Sequence, residues 1–154
     1  MKRYLTRFIT LFLAVTLFLF LDCKANISSS QAGSEIKKPS IFKVEVVHFH
    51  GTYDCHTCRT AGKYAEETVK TFYAKELKEG KIAFRSINAY LPENKDIVFD
   101  YGVMSSSLWL GVYHNNGFHK EQLVKAFYKV NNRMDFMSYL KNLIDKRLEG
   151  DFTQ

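Results

Sequence analysis

Two cysteines separated by two residues constrain this chain more than any other feature. Cys55 and Cys58 follow a β-rich segment, Lys43 to His50, and precede a long stretch with helical spacing. The pair therefore falls on a strand-to-helix turn. A helix N-terminus offers unpaired backbone N–H groups and a partial positive charge, which favour a thiolate over a thiol. Because the spacing lets the sulfurs meet, one can attack a disulfide and the other can release the resulting mixed disulfide.

The next elements follow from periodicity and turn residues. Apolar residues at helical spacing extend from Cys58 to Leu77, and Gly80 supplies a C-terminal stop. A second strand covers Ile82 to Ile87, and a shorter helix runs from Pro92 to Tyr101. A β-α-β unit of this kind requires a right-handed crossover between parallel strands.

The last third of the sequence predicts a hairpin and a helix. Ser107 to Tyr113 alternates as a strand, and the turn Asn115-Asn116-Gly117 returns the chain into a partner segment from Phe118 to Tyr128. A terminal amphipathic helix follows, capped by Asn131 or Asn132. The predicted fold class is α/β, with a mixed four-stranded sheet in β-α-β-α-β-β-α order and helices on both faces.

The N-terminus predicts a compartment. Three basic residues precede an apolar stretch from Phe8 to Leu21, which is shorter than the about 20 residues that span a bilayer and is typical of an export signal. The stretch closes at Cys23, which resembles the lipidated cysteine of bacterial lipoprotein signals, although Asp22 replaces the usual small residue. Lipidation of Cys23, cleavage near Ala25 or Ser30, and an uncleaved anchor stay open. All three predict an extracytoplasmic, periplasmic protein, and the first and third predict a membrane tether.

Composition and charge limit the remaining classes. The sequence divides into an export or lipoprotein signal at 1–23, a flexible tether at 24–40, one domain at 41–149 and a C-terminal tail at 150–154. With the four charged residues before Cys23 left out, 19 basic residues face 15 acidic ones, a net charge of +4. These charges are scattered, so no nucleic-acid partner is expected.

The motif Cys55-His56-Thr57-Cys58 and the element order behind it resemble the thioredoxin-like family over about residues 41–149. Tyr101-Gly102-Val103 before an apolar strand and Asn116-Gly117 after it are similar to the corresponding run of thioredoxins. More narrowly, the segment from Phe49-His50-Gly51 to the cysteines resembles a bacterial thioredoxin-like family named as a nitrophenyl-compound nitroreductase subunit. The resemblance implies that Cys55 attacks and Cys58 resolves, and no cofactor is expected.

The sequence departs from that family at one place. Thioredoxin-like oxidoreductases usually carry a cis-proline at the start of the hairpin strand, where it helps to grip an extended substrate. This chain has only Pro39 and Pro92, and Ser107 aligns with the missing proline. A serine there removes a ring that would shield the sulfurs, so metal capture becomes more plausible than in other members.

The two residues that flank Cys55 have opposite expected effects on the stability of its thiolate. A positively charged His56 would stabilise the Cys55 thiolate and hence the reduced form, whereas Asp54 would oppose it. The direction of electron flow therefore stays open at this stage.

Several functions remain in view. The leading hypothesis is an exported thiol-disulfide oxidoreductase or electron relay that exchanges electrons with a protein partner. The alternatives are a structural disulfide, an accessory subunit of a membrane-bound reductase, and a redox-inactive or metal-carrying module. The last would bind copper or zinc through Cys55 and Cys58, with His48, His50 or His56 completing the ligand set.

Overall fold

A computed structural model describes residues 38–153 of the chain. The predicted export signal, the lipidation of Cys23 and residues 24–37 of the predicted tether lie outside the described residues. Of the helices in the described part, none combines the length and the apolar character that a membrane span requires.

A four-stranded mixed sheet organises these residues. The strands are β1 (Ile41–His50), β2 (Ile82–Asn88), β3 (Ser107–His114) and β4 (Gly117–Gln122). Their order across the sheet is β2-β1-β3-β4, with β1 parallel to β2 and antiparallel to β3, and with β3 antiparallel to β4. The predicted parallel crossover and the predicted antiparallel hairpin are therefore both confirmed.

Helices cover both faces of this sheet. The helices are α1 (His56–Phe72), α2 (Ala74–Lys78), α3 (Lys95–Tyr101), α4 (Val124–Phe127) and α5 (Arg133–Leu148), with a single 3₁₀ turn at Pro92–Asn94. Side chains alternate along β1, so Val44 and Val46 enter the core beneath α1 and α5, whereas Val47 and Phe49 pack with the α3 region. The strand is buried on both sides, and its C-terminal end carries the chain directly to the cysteines.

The first helical stretch is shorter than its periodicity predicted. The single helix predicted to Leu77 is wrong, because α1 ends at Phe72 and a second short helix begins at Ala74. Tyr73 lies between them with a non-helical backbone. Its ring is 5% exposed, and its hydroxyl donates to Asp145 Oδ1 at 2.7 Å on α5. Burial of this one side chain against α5 accompanies the break, and a periodicity count cannot detect that packing.

The hairpin's second strand is also shorter than predicted. The segment from Phe118 to Tyr128 is not one strand, because β4 ends at Gln122 and α4 follows. Leu123 donates its N–H to the carbonyl of Leu108 at 2.8 Å, and Ala126 is fully buried in the core. Leu123 and Ala126 are three residues apart, which is helical rather than strand spacing.

Two predicted boundary residues adopt their expected geometry. Gly102 ends α3 with a φ of 71°, in the left-handed region that favours glycine. Asn132, one of the two predicted caps, accepts a hydrogen bond from the N–H of Asp135 at 3.1 Å and starts α5.

Candidate disulfide-exchange site

The Cys55–Cys58 pair forms a disulfide at the start of α1. The turn 51–54 leads out of β1, and Cys55 is the extended residue that caps the helix. The two Cα atoms are 5.2 Å apart, within the range that a disulfide bridges. The predicted place of the pair at a strand-to-helix turn is confirmed.

The two sulfurs have different surroundings. Cys55 is exposed and Cys58 is half-buried. The N–H of Cys58 donates to Cys55 Sγ at 3.1 Å, so the sulfur takes the place that a side-chain oxygen fills in other helix caps. In the reduced protein the same N–H and the positive end of α1 would favour a thiolate on Cys55. This asymmetry fits an accessible attacking thiol and a shielded resolving thiol.

His56 is the first residue of α1, and its side chain is exposed. It adjoins Cys55 in sequence, which is the position from which a positive charge would act on that sulfur. Its predicted effect on the thiolate stays a prediction.

His48 lies beneath the first turns of α1. It shares a face of β1 with Val46, and only 5% of its surface is exposed. The ring packs on the Cα of Gly62 so closely that a Cβ built there would lie 2.3 Å from His48 Nδ1. Gly62 therefore provides the space for the imidazole. The Nε2 atom is buried and has no hydrogen-bond partner among the described residues.

The surroundings of His48 keep it neutral near neutral pH. Burial lowers the pKa of His48, and the neighbouring His50, whose ring centroid is 5.5 Å away, lowers it further. The Asp54 carboxylate and the backbone of Cys58 act in the opposite direction without reversing the shift. His48 and His50 also line a cavity of about 580 Å³ between α1 and β2.

The serines before β3 differ in their partners. Ser107 is buried, its hydroxyl donates to the carbonyl of Ser105, and it accepts the indole N–H of Trp109 at 2.9 Å. The neighbouring Ser106 hydroxyl instead donates to Asp54 Oδ1, one residue before Cys55. Ser106 is thus the serine that is hydrogen-bonded to the cysteine turn, and the role predicted for Ser107 stays a prediction.

The predicted alternative of a metal site has a defined donor set. Two of its donors, the sulfurs of Cys55 and Cys58, are joined to each other, and two more, the rings of His48 and His50, stack on each other. In the part of the chain that the structure describes, no group of three or more His, Cys, Asp or Glu side chains is arranged to hold a metal ion.

Sequence reasoning missed three contributors to the site. Gly62 was unremarkable in a helical stretch, although a glycine in mid-helix is unfavourable by about 1 kcal/mol and therefore signals a close neighbour. The sequence shows Asp54 only as a negative charge beside Cys55, whereas in the structure its carboxylate also accepts the N–H of Gly51 at 2.9 Å. Ser106 had no signal beyond its place in a run of serines, because only the tertiary structure brings it to Asp54.

Comparison with known proteins gives solved structures only. No protein-family model matches the chain, and no curated protein matches it. A crystal structure of the Trx4 domain of ERdj5 is 18% identical, with a TM-score of 0.47, 70% of this chain covered and 82% of that one. The solution structure of a thioredoxin from Thermus thermophilus is 16% identical, with a TM-score of 0.42 and coverages of 68% and 75%.

A third solved structure contains the first two thioredoxin domains of Naumovozyma dairenensis Eps1p. It is 19% identical, with a TM-score of 0.42, and the match covers 68% of this chain and 35% of that one. The chain's own features are a β2-β1-β3-β4 mixed sheet, helices on both faces and a Cys-x-x-Cys disulfide at the start of the first helix. The described part of the chain has a thioredoxin-like fold.

Proposed function

We propose that this chain is an exported thiol-disulfide oxidoreductase in which Cys55 is the attacking thiol and Cys58 the resolving thiol. One observation carries the proposal: the exposed Cys55 sulfur sits at the helix cap and accepts the Cys58 N–H at 3.1 Å, while Cys58 is half-buried behind it. Short disulfides that serve only stability close a small loop and gain little from it. An exposed sulfur at a helix start is better suited to exchange.

The exchange moves two electrons and two protons. The Cys55 thiolate attacks one sulfur of a substrate disulfide, a Cys55–substrate disulfide forms, and the other substrate sulfur leaves as a thiolate that takes up a proton. The Cys58 thiolate then attacks Cys55 Sγ, which forms the Cys55–Cys58 disulfide and releases the second substrate thiolate. The reverse sequence oxidises a substrate dithiol. The reduction potential of the pair against its partner decides the direction.

His48 is the base that this proposal assigns to Cys58. Cys58 must lose its proton before it attacks, and a half-buried thiol ionises less readily than an exposed one. The neutral imidazole of His48 packs against Gly62, four residues after Cys58 on α1, and its Nε2 has no hydrogen-bond partner among the described residues. It can accept that proton during release of the substrate and return it in the reverse direction.

A protein is the proposed partner. Tyr53 and Met104 are each 97% exposed, and Tyr90 is 76% exposed; these large apolar side chains belong to the turn before the cysteines and to two neighbouring loops. Tyr90 and Met104 also line one small cavity with His50, and exposed apolar side chains that lie together in this way favour protein contacts.

Trapping of mixed disulfides tests the assignment of the two thiols. Each variant of the full chain also carries Cys23→Ser, so that any mixed disulfide forms through Cys55 or Cys58. Cys58→Ser should accumulate mixed disulfides with a disulfide-bearing protein, because nothing resolves the adduct, whereas Cys55→Ser should trap none. Cys55→Ser should also reduce turnover by on the order of 10³-fold or more. Equal trapping by both variants would contradict the assignment.

Export and membrane attachment form the second part of the proposal. The basic N-terminus, the apolar stretch to Leu21 and Cys23 support a periplasmic domain tethered to a membrane, where a membrane-bound reductase could exchange electrons with the pair. Cell fractionation should find the full chain with the membranes outside the cytoplasm, and Cys23→Ala should release it if Cys23 carries the lipid. Recovery of the full chain in the cytoplasm would contradict export.

A further inference from the structure

The loop that ends at Ser106 lies beside the cysteine turn because of strand pairing. Ser107 opens β3 and pairs with Phe49 near the end of β1, so the loop before β3 and the turn after β1 meet at one end of the sheet. A small cavity of about 80 Å³ separates His50 from Ser105 and Ser106. The loop before β3 and the turn that carries Cys55 are therefore neighbours at the same end of the sheet.

Asp54 connects the two segments. Its Oδ1 accepts the N–H of Gly51 at 2.9 Å, which closes the turn, and the hydroxyl of Ser106, which joins the turn to the loop before β3. The two segments are 52 residues apart in the sequence. Asp54 is the residue immediately before Cys55, so both bonds fix the backbone from which the exposed sulfur projects.

The carboxylate also places a charge at this point. The second oxygen of Asp54, Oδ2, is buried and has no hydrogen-bond partner among the described residues. The Arg59 guanidinium donates to the Asp54 backbone carbonyl rather than to the carboxylate. Burial raises the pKa of Asp54, but the Ser106 hydroxyl, the Gly51 N–H and the charges of the nearby histidines outweigh it and hold the pKa below its usual value. Asp54 is therefore ionised near neutral pH.

We propose that Asp54 is a positioning residue for disulfide exchange: it holds the Ser106 loop against the cysteine turn, and its charge limits how readily Cys55 ionises. The inference rests on the proposed exchange reaction and assigns to Asp54 the control of how stable the disulfide is relative to the reduced pair. A negative charge beside a sulfur disfavours the thiolate, and a less stable thiolate favours the disulfide over the reduced pair. Asp54 thus makes the pair more reducing than the helix start alone would make it.

Substitutions at Asp54 and Ser106 separate the effect of the Asp54 charge from the effect of its hydrogen bond to Ser106. Asp54→Asn removes the charge but retains an oxygen for Gly51 and Ser106. Ser106→Ala retains the charge but removes the link, and Ser106→Thr restores the hydroxyl. Asp96→Asn is the matched control for loss of a negative charge, because Asp96 is exposed on α3. All variants are made in the full chain with Cys23→Ser.

The charge is tested by the alkylation of Cys55 and by equilibration with glutathione. Asp54→Asn should increase the alkylation rate of the reduced protein at pH 6 at least threefold, because more Cys55 is thiolate. It should shift the glutathione equilibrium towards the dithiol by a similar factor, where tenfold corresponds to about 30 mV. Asp96→Asn should change neither value. If Asp54→Asn behaves like Asp96→Asn, the charge part of the proposal is wrong.

The connection is tested by steady-state kinetics with a protein disulfide. Ser106→Ala should raise KM at least threefold with kcat nearly unchanged, and Ser106→Thr should restore KM. An unchanged KM in Ser106→Ala would overturn the positioning part. Alkylation needs no turnover. A wild-type chain that alkylates as expected but neither reduces a protein disulfide nor oxidises a protein dithiol would therefore contradict the proposed function and leave the charge measurement standing.

Discussion

Arg147 and His48 are both buried, but they differ in their hydrogen bonds: the Arg147 guanidinium has several partners, whereas His48 Nε2 has none among the described residues. Arg147 is 0% exposed and pairs with both carboxylate oxygens of Glu121, one of them at 2.8 Å. It also donates to the backbone carbonyl of Asp151 at 2.6 Å and to that of Thr153 at 3.2 Å. These bonds tie α5 to β4 and to residues 151–153.

His48 has the opposite surroundings. It is 5% exposed, its Nε2 has no partner in the described part of the chain, and Asp54 nearby has a second orphaned atom, Oδ2. A buried polar atom without a partner costs about 1–3 kcal/mol. The buried polar groups around Arg147 are therefore paired and hold the fold, whereas the buried atoms His48 Nε2 and Asp54 Oδ2 have no partner in the described part of the chain, as the proposed proton and charge roles require.

The largest effect on stability should come from breaking the buried ion pair between Arg147 and Glu121. Arg147→Met leaves the Glu121 carboxylate, whose side chain is only 14% exposed, without its cation, and the free energy of unfolding should fall by about 3 kcal/mol or more. Urea unfolding of the oxidised full chain measures this value. The double variant Arg147→Met with Glu121→Gln should recover part of the loss, and a loss below about 1 kcal/mol in the single variant would contradict the comparison.

A smaller effect on stability should come from the contact between His48 and Gly62, and its sign should depend on whether His48 is present. Gly62→Ala places a methyl group against the imidazole and should destabilise the protein by about 1–3 kcal/mol. In a His48→Ala background the space is free, so Gly62→Ala should instead stabilise α1 by up to about 1 kcal/mol through helix propensity. Thermal unfolding of the four proteins completes the cycle. The same sign in both backgrounds would show that His48 does not need the glycine.

The smallest effect should appear in the dependence of stability on pH. The pKa of His48 is lower in the folded chain than its usual 6.5, so the unfolded chain binds the proton more readily. The stability that neutral His48 contributes is present above pH 6.5 and is lost as the pH falls below it. Asp54, whose pKa lies below 3.8, is affected only at more acidic pH.

Replacement of His48 should flatten this dependence. His48→Asn carries no proton in this range, so the fall in unfolding free energy between pH 7.5 and about pH 5 should be shallower than in the wild type. His119→Asn provides the matched control, because His119 lies on β4, away from the disulfide turn. Equal slopes in His48→Asn and the wild type would remove the argument that His48 is buried as a neutral base.

Most of the architecture could be predicted from local patterns. β-rich composition predicted β1, alternation predicted β3, the Asn116-Gly117 turn predicted the hairpin, and Gly102 and Asn132 marked ends of helices. The predicted boundaries at Leu77 and Tyr128 were wrong where a single side chain's tertiary packing outweighed local preference. Tyr73 interrupts the helix as its hydroxyl reaches α5.

Local sequence patterns are enough to predict that two cysteines meet at the start of a helix after a strand. Their spacing is local, and the strand and helix on either side depend on short-range patterns that a single chain carries. The side chains that surround the pair depend instead on tertiary packing. Gly62 makes space for His48 across the helix-sheet interface, and Ser106 reaches Asp54 from a loop 52 residues away. Such contacts depend on which faces pack together, and residue spacing along the chain does not contain that information.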